Sequence, residues 1–181
     1  MKKNLLIKNV RPIGADLTDI LIREGAIKRI APGITAEAEI SVEDGKGAIA
    51  LPGLVEAHTH LDKSLIGMGW RPHQAGPSLM DKITTERRLK KEWNIDPVRQ
   101  SARQMIQSLA HGSTFIRSHV DVDPEIGVRG FEGVAETREK YSEAIDIEIV
   151  VFPQSGLMRC PGTLELMEEA LAGGADVIGG L

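Results

Sequence analysis

The sequence of 181 residues is poor in cysteine, in aromatic residues and in long hydrophobic runs. Its one cysteine, Cys160, allows no internal disulfide bond, which is typical of a reducing compartment, so we expect a cytoplasmic protein. No apolar run approaches the roughly 20 residues that cross a bilayer. The apolar stretch after Lys2 and Lys3 is also too short for the core of a signal peptide. The sequence therefore predicts no contact with a membrane.

Basic charge is also scarce, since 26 acidic residues outnumber 22 basic ones and the net charge is −4. A protein that binds nucleic acid through its phosphates needs clustered positive charge, so this balance argues against a nucleic-acid partner. Hydrophobic residues make up 41% of the chain and charged residues 27%, which is typical of a globular protein. We expect the partner to be a small molecule instead.

Residues 1–47 have the pattern of short β-strands. Strands are predicted over 5–10, 19–23, 26–30 and 40–42, and Glu24-Gly25 between the second and third is a hairpin turn signal. We expect a compact unit of small antiparallel strands here.

Residues 48–181 alternate between strand and helix patterns. Strands are predicted over 48–58, 114–120, 146–152 and 176–179, and helical patterns over 81–110, 130–143 and 161–172. This alternation favours a parallel sheet with helices outside it. An open doubly wound sheet would fit the length, whereas a closed eight-unit barrel takes about 250 residues. Because the sequence ends directly after the fourth strand, we expect a fragment of a longer protein.

The most informative motif is His58-Thr59-His60, at the end of the first of these strands. Side chains two apart on a strand point to the same face, and the carboxyl ends of parallel strands are where such folds place their active sites. Neutral imidazoles suit zinc, iron and similar divalent metals. We predict that His58 and His60 bind a metal, although two partly exposed histidines at a strand end are the simpler alternative.

Further polar residues follow the second and third strands. His119 and Asp121 share one face of the strand over 114–120, and they are expected to contact substrate or to orient the site, with a structural His–Asp pair as the alternative. Gln154 carries an amide that can bind the amide edge of a heterocycle through two hydrogen bonds. The loop over 64–80 is expected to cover the pocket, with Trp70 packing on a bound ring.

These three motifs together resemble those of the amidohydrolase superfamily, and within it the cytosine deaminase branch. They are Leu51 to Lys63, Arg117 to Asp121 and Val151 to Gly156, and the first is also similar to that of N-isopropylammelide amidohydrolases. The resemblance implies an α/β fold: the first half of a (β/α)₈ TIM-type barrel, over 48–181, and the N-terminal part of a small β-sandwich, over 1–47. It also implies one divalent metal, iron or zinc, on His58 and His60, with the remaining ligands and the proton-shuttle residue beyond Leu181.

We therefore predict a metal-dependent hydrolase that deaminates a cytosine-like ring through a metal-activated water, with Gln154 holding the ring amide. One alternative is an amidohydrolase that removes an alkylamino group from a triazine or opens a cyclic amide. Another is a truncated chain without activity of its own. We expect the complete protein to form a homo-oligomer.

Overall fold

The structure, a computed structural model, describes residues 4–13 and 15–180, and the chain divides into two compact units. The first unit ends at Pro52 and the second begins at Gly53. None of the helices in the described ranges is both long and apolar enough to cross a membrane.

The first unit is a five-stranded sheet. Its strands are β1 (Leu5–Pro12), β2 (Thr18–Arg23), β3 (Ala26–Ala31), β4 (Ser41–Asp44) and β5 (Ile49–Ala50). The order is β3-β2-β1-β4, with β5 also paired to β1. Glu24 and Gly25 both have positive φ, 53° and 77°, which confirms the predicted hairpin turn between β2 and β3.

The expectation that all strands of this unit are antiparallel is wrong for two of them. The β1–β2 and β2–β3 pairs are antiparallel, but β4 and β5 run parallel to β1. The physical reason is the topology. The β1–β2–β3 meander leaves the far edge of β1 open, so the chain must cross from β3 to that edge before it can pair there.

The second unit has a parallel sheet with strand–helix alternation, as predicted. Its strands, in the order β6-β7-β8-β9, are β6 (Leu54–Thr59), β7 (Ser113–Asp121), β8 (Asp146–Phe152) and β9 (Val177–Ile178). The helices are α1 (Leu79–Glu92), α2 (Pro97–Ala110), α3 (Arg129–Lys140) and α4 (Thr163–Ala172). The whole chain is thus a mixed α/β structure.

The single helical stretch predicted over 81–110 is in fact two helices. Asp96 caps α2, accepting hydrogen bonds from the backbone N–H groups of Val98 (3.1 Å) and Arg99 (3.3 Å). Pro97 follows at the first helical position, where its missing N–H costs nothing, but it could not continue α1. The Asp-Pro pair was the signal for this break. At its other end, α1 begins with a capping box between Ser78 and Asp81.

The core of the second unit lies between the sheet and helices α2 and α3. Its fully buried side chains include Met105 of α2, Val134 of α3, and Ile116 and Ile149 of the sheet. The two helices also share a buried hydroxyl pair, Ser101 Oγ to Thr137 Oγ1 at 2.6 Å. None of the side chains of α1 is buried. This core fixes the strands whose carboxyl ends carry the predicted site.

Candidate active site

Three histidines gather at the carboxyl ends of two neighbouring strands. The β6–β7 pairing sets Thr59 opposite Ser118, and this brings His58 and His60 beside His119. The rings of His58 and His119 are stacked with centroids 3.9 Å apart, and the centroid of His60 lies 5.6 Å from His58 and 6.0 Å from His119. The fold therefore places these three histidines close together, as the sequence predicted.

The end of β6 is held in place by hydrogen bonds to its neighbours. The backbone N–H of Leu61 donates to Ser118 Oγ at 3.2 Å, and both residues are fully buried. The side-chain amide of Gln104, on α2, donates to the Thr59 hydroxyl. These contacts flank His60 on both sides along the chain, so they orient the segment that carries the histidine pair.

The histidines open into a groove of about 570 Å³. Gln154 and Phe152, at the end of β8, lie on its wall, and the Phe152 ring approaches that of His60 edge-on with centroids 5.9 Å apart. Gln154 therefore lines the same cavity as the histidines. Its predicted contact with substrate requires this arrangement. The groove combines three imidazoles and one amide at the ends of three adjacent strands.

The opposite wall of the groove comes from α1, and sequence reasoning missed it. Leu79, Lys82, Ile83 and Glu86 all line the groove. The loop over 64–80 was expected to form this cover, but most of it lines a neighbouring cavity of about 640 Å³ instead. The i, i+3, i+4, i+7 spacing of the four α1 residues was the available signal, since it places them on one face of a helix.

Trp70 lies away from the histidines. It is 88% exposed and belongs to the neighbouring cavity, together with Trp93 and Arg71, whose guanidinium lies 4.5 Å from the centre of the Trp93 ring. The structure therefore contradicts the expectation that Trp70 packs over a ring bound at the histidines. Spacing along the loop could not reveal this, because the direction of the loop is set by the helix that follows it.

Asp121 is buried and does not line the groove, which suits the orienting role expected of it and not the alternative of a direct substrate contact. It accepts hydrogen bonds from Lys63 Nζ at 2.8 and 3.0 Å and from Lys90 Nζ at 2.8 Å, and its Oδ1 lies 3.9 Å from His60 Nδ1. Both ammonium groups also contact Glu86, at 2.9 and 3.0 Å. We call these four residues, Lys63, Glu86, Lys90 and Asp121, the ionic cluster.

The charges of the ionic cluster stabilise one another. Burial acts to raise the pKa of Asp121, but Lys90 and Lys63 outweigh it and the pKa lies below its usual value. Burial likewise opposes the charge on Lys90, yet Asp121 and Glu86 raise its pKa overall. Asp121 is thus a buried carboxylate paired with two lysines, and it does not line the groove in which a substrate would lie.

Two of the imidazoles, those of His60 and His119, favour their neutral form. Burial, with Lys63 nearby, lowers the pKa of His60 to about 4. Burial also lowers the pKa of His119, and the neighbouring His58 and Arg117 add to the effect. The Nδ1 atoms of His60 and His119 are buried without a hydrogen-bond partner. A neutral imidazole is the form that binds a metal ion or hydrogen-bonds to a neutral ring.

These residues fit a divalent metal as part of a ligand set. Within residues 4–13 and 15–180, no group of three or more histidine, cysteine, aspartate or glutamate side chains is arranged to hold a metal ion. The donors present are nonetheless of the right chemistry, because two imidazoles project from one strand end and catalytic metal sites use three or more such protein ligands. His58 and His60 could supply two of them.

A pair of imidazoles lies beside an amide at the carboxyl ends of parallel strands, which is where α/β folds place their active sites. No protein-family model matches the chain. It is 32% identical to the N-isopropylammelide isopropyl amidohydrolase of Pseudomonas sp. strain ADP over 158 residues, which cover 82% of this chain and 38% of that enzyme. The chain thus spans less than half the length of this relative.

Solved structures give the same result. The N-isopropylammelide isopropylaminohydrolase of Burkholderia multivorans is 44% identical with a TM-score of 0.91, over 98% of this chain and 44% of that one. The 5-methylcytosine deaminase of Klebsiella pneumoniae is 29% identical with a TM-score of 0.72, over 97% and 43%. An atrazine chlorohydrolase of Arthrobacter aurescens, complexed with zinc, shares the fold at 19% identity and a TM-score of 0.70, over 93% and 42%.

The relatives and structural neighbours of this chain are deaminases and hydrolases of the amidohydrolase superfamily, and the chain matches an N-terminal portion of them. The resemblance inferred from the three strand-end motifs is thereby confirmed. The relatives described above are named for N-isopropylammelide and for 5-methylcytosine, which are nitrogen heterocycles.

Proposed function

We propose that this chain is the N-terminal part of a metal-dependent hydrolase that removes an exocyclic amino group from a nitrogen heterocycle. The observation that carries the proposal is the single groove in which His58, His60, His119 and Gln154 meet. Its four parallel strands would be the first half of a (β/α)₈ barrel, and the N-terminal sheet would be part of the accompanying sandwich. The lone Cys160 supports a reducing compartment such as the cytoplasm.

His58 and His60 would hold one divalent metal, zinc or iron. Bound there, the metal would supply a Lewis acid that lowers the pKa of a water molecule towards neutrality. Hydrolysis consumes one water: its oxygen stays on the ring carbon, one of its hydrogens leaves with the amine, and the other remains on the product, on a ring nitrogen when the product is in its keto form. The low pKa of His60 supports this role, because protons compete poorly for an imidazole that burial keeps neutral.

Gln154 and His119 would hold the ring. The amide of Gln154 can donate one hydrogen bond and accept another, which matches the adjacent N–H and C=O of a pyrimidine or triazine. His119 lines the same groove, so its ring would contact a heterocycle held by Gln154.

Two substrate classes remain within this proposal. A cytosine-like ring is the class predicted from the motifs. Removal of an alkylamino group from a triazine is the alternative, and it is favoured by the 44% identity to the Burkholderia isopropylaminohydrolase against 29% to the 5-methylcytosine deaminase. Both reactions hydrolyse an exocyclic C–N bond and differ in the amine released, ammonia or an alkylamine.

The test uses the protein produced from its native gene and loaded with zinc or with iron(II). Metal per chain is measured by elemental analysis, and release of ammonia from cytosine is compared with release of isopropylamine from N-isopropylammelide. We expect His58→Ala and His60→Ala each to lose the metal and the activity together. His73→Ala is the matched control, because His73 lines the neighbouring cavity and not the groove.

Retention of stoichiometric metal by either His58→Ala or His60→Ala would contradict the ligand assignment. A metal-loaded protein that hydrolyses neither substrate would contradict the proposed reaction. Faster release of ammonia from cytosine than of isopropylamine from N-isopropylammelide would favour the deaminase class over the alkylamino class.

A further inference from the structure

Helix α1 forms a wall of the groove, yet hydrophobic burial does not hold it there. None of the 14 side chains from Leu79 to Glu92 is buried. By contrast, α2 has the same length and buries Gln100, Ser101 and Met105. A helix on a protein surface is normally fixed by an apolar face against the core. Some other interaction must therefore determine where α1 lies.

The contacts that the structure shows between α1 and the strand ends are polar: ion pairs, together with a hydrogen bond from Arg87 to Ser155 Oγ. Arg87 lies 3.3 Å from Asp123, Lys91 lies 3.1 Å from Glu125, and Lys90 donates to Asp121 at 2.8 Å. These acidic residues follow or end β7. Three basic side chains of the helix, Arg87, Lys90 and Lys91, thus contact acidic residues at and after the end of β7. These contacts attach the helix by charge and not by apolar packing.

Asp121 differs from Asp123 and Glu125 because it connects α1 to a second segment of the chain. It also binds Lys63, in the connection that follows the histidine pair of β6. It is the centre of the ionic cluster and is almost completely buried, and the side chains of Lys63 and Lys90 are each only 14% exposed. Charges shielded from water attract one another more strongly than exposed ones. Asp121 thus links the helix to the strand end that carries His58 and His60.

We propose that Asp121 is a positioning residue that fixes α1 as a wall of the groove, and that it does not bind substrate. Because Leu79, Ile83 and Glu86 of α1 line the groove, its width follows the position of the helix. This role of Asp121 rests on the proposed function in one respect, which is that the groove is taken as the substrate site. The ionic contacts themselves do not depend on any reaction.

Replacing Asp121 by asparagine keeps the shape of the side chain and removes its charge. Lys63 and Lys90 then keep one directly paired carboxylate, Glu86, and the buried Asp62 is the other acidic group nearby. Removing one partner of a buried ion pair is costly because the remaining charge is left uncompensated. The helix can relieve this cost by moving Lys90 towards water, which detaches α1 and leaves the sheet intact.

The experiment is amide hydrogen exchange on the protein from its native gene, without metal or substrate. Asp121→Asn and Lys90→Met are expected to speed exchange in residues 79–92 by about tenfold or more, with β7 and β8 unchanged. Lys90→Arg keeps the cation and should restore protection. Glu125→Gln is the matched control and should leave α1 unchanged, because the Lys91–Glu125 pair is exposed and the Arg87–Glu125 contact is long, at 3.9 Å.

Unchanged exchange of α1 in both Asp121→Asn and Lys90→Met would overturn the proposal. An equal rise in α1, β7 and β8 would also overturn it, since Asp121 would then support general stability. If Asp121→Asn does not fold, Lys90→Met against Lys90→Arg decides the question. A protein that hydrolyses neither heterocycle but shows the expected exchange pattern would contradict the proposed function and leave the role of Asp121 standing.

Discussion

Ser118 is the residue through which the histidine strand is joined to its neighbour, and its removal gives a sharp test of the site architecture. Ser118→Ala deletes the oxygen that accepts the Leu61 backbone N–H at 3.2 Å. Both residues are fully buried, so water cannot replace the lost acceptor. An unsatisfied buried donor costs about 1–3 kcal/mol. We expect the free energy of unfolding of the second unit to fall by this amount.

The assay is urea unfolding followed by tryptophan fluorescence. Both tryptophans, Trp70 and Trp93, lie in the second unit, so the signal reports on it alone. With a urea slope of about 2 kcal/mol per molar, the midpoint should fall by roughly 0.5–1.5 M. Ser142→Ala is the control, because Ser142 is exposed and surface changes of this kind stay within about 0.5 kcal/mol. Equal midpoints for the two variants would refute the reasoning.

Three further predictions concern substrate, packing and pH. Gln154→Ala should lower kcat/KM by roughly 5- to 150-fold, from the loss of about 1–3 kcal/mol of hydrogen bonding, and leave metal content unchanged. Unchanged kcat/KM would remove Gln154 from the substrate site. Gly133→Ala should lower the midpoint of thermal unfolding. The new Cβ would lie 2.5 Å from Pro97 Cβ and 2.8 Å from the carbonyl carbon of Pro97. Overpacking of this kind costs about 1–3 kcal/mol, which outweighs the gain of about 1 kcal/mol in helix propensity. A raised midpoint would show that α2 and α3 separate freely. Asp19 accepts hydrogen bonds from the backbone N–H groups of Asn9 at 3.0 Å and Ile34 at 2.9 Å. The bond from Asn9 lowers the pKa of Asp19 below the usual 3.8. The contribution of the ionised carboxylate to folding stability is therefore present above pH 3.8 and is lost as the pH falls further. The stability difference between the wild type and Asp19→Asn should therefore shrink on acidification below that pH, and a constant difference would contradict it.

Local signals in the sequence were enough to predict most of the secondary structure. The Glu24-Gly25 turn and the strand of β-branched residues over 146–152 both follow from the conformational preferences of those residues. The predicted boundary between residues 47 and 48 lies near the division between the two compact units at Pro52 and Gly53. The missed boundary between α1 and α2 lay in the Asp96-Pro97 pair, a local signal that the overall helical spacing concealed.

The candidate site was predictable to the extent that it depends on strand ends. Period-two alternation places His58 and His60 on one face, and parallel pairing brings His119 and Gln154 to the same edge. These relations require only that neighbouring strands run in the same direction. The motifs were therefore sufficient to predict which side chains meet at this edge of the sheet.

The sequence by itself determined the alternation of strands and helices, the face on which the histidines lie and the class of enzyme that the motifs resemble. Only the tertiary structure decided the roles of Asp121 and Trp70. Asp121 shares its face with His119, but two lysines distant in sequence, Lys63 and Lys90, occupy it. Trp70 follows the loop into the neighbouring cavity. Periodicity defines the direction of a side chain on its own strand, whereas the partner it meets depends on how separate segments pack.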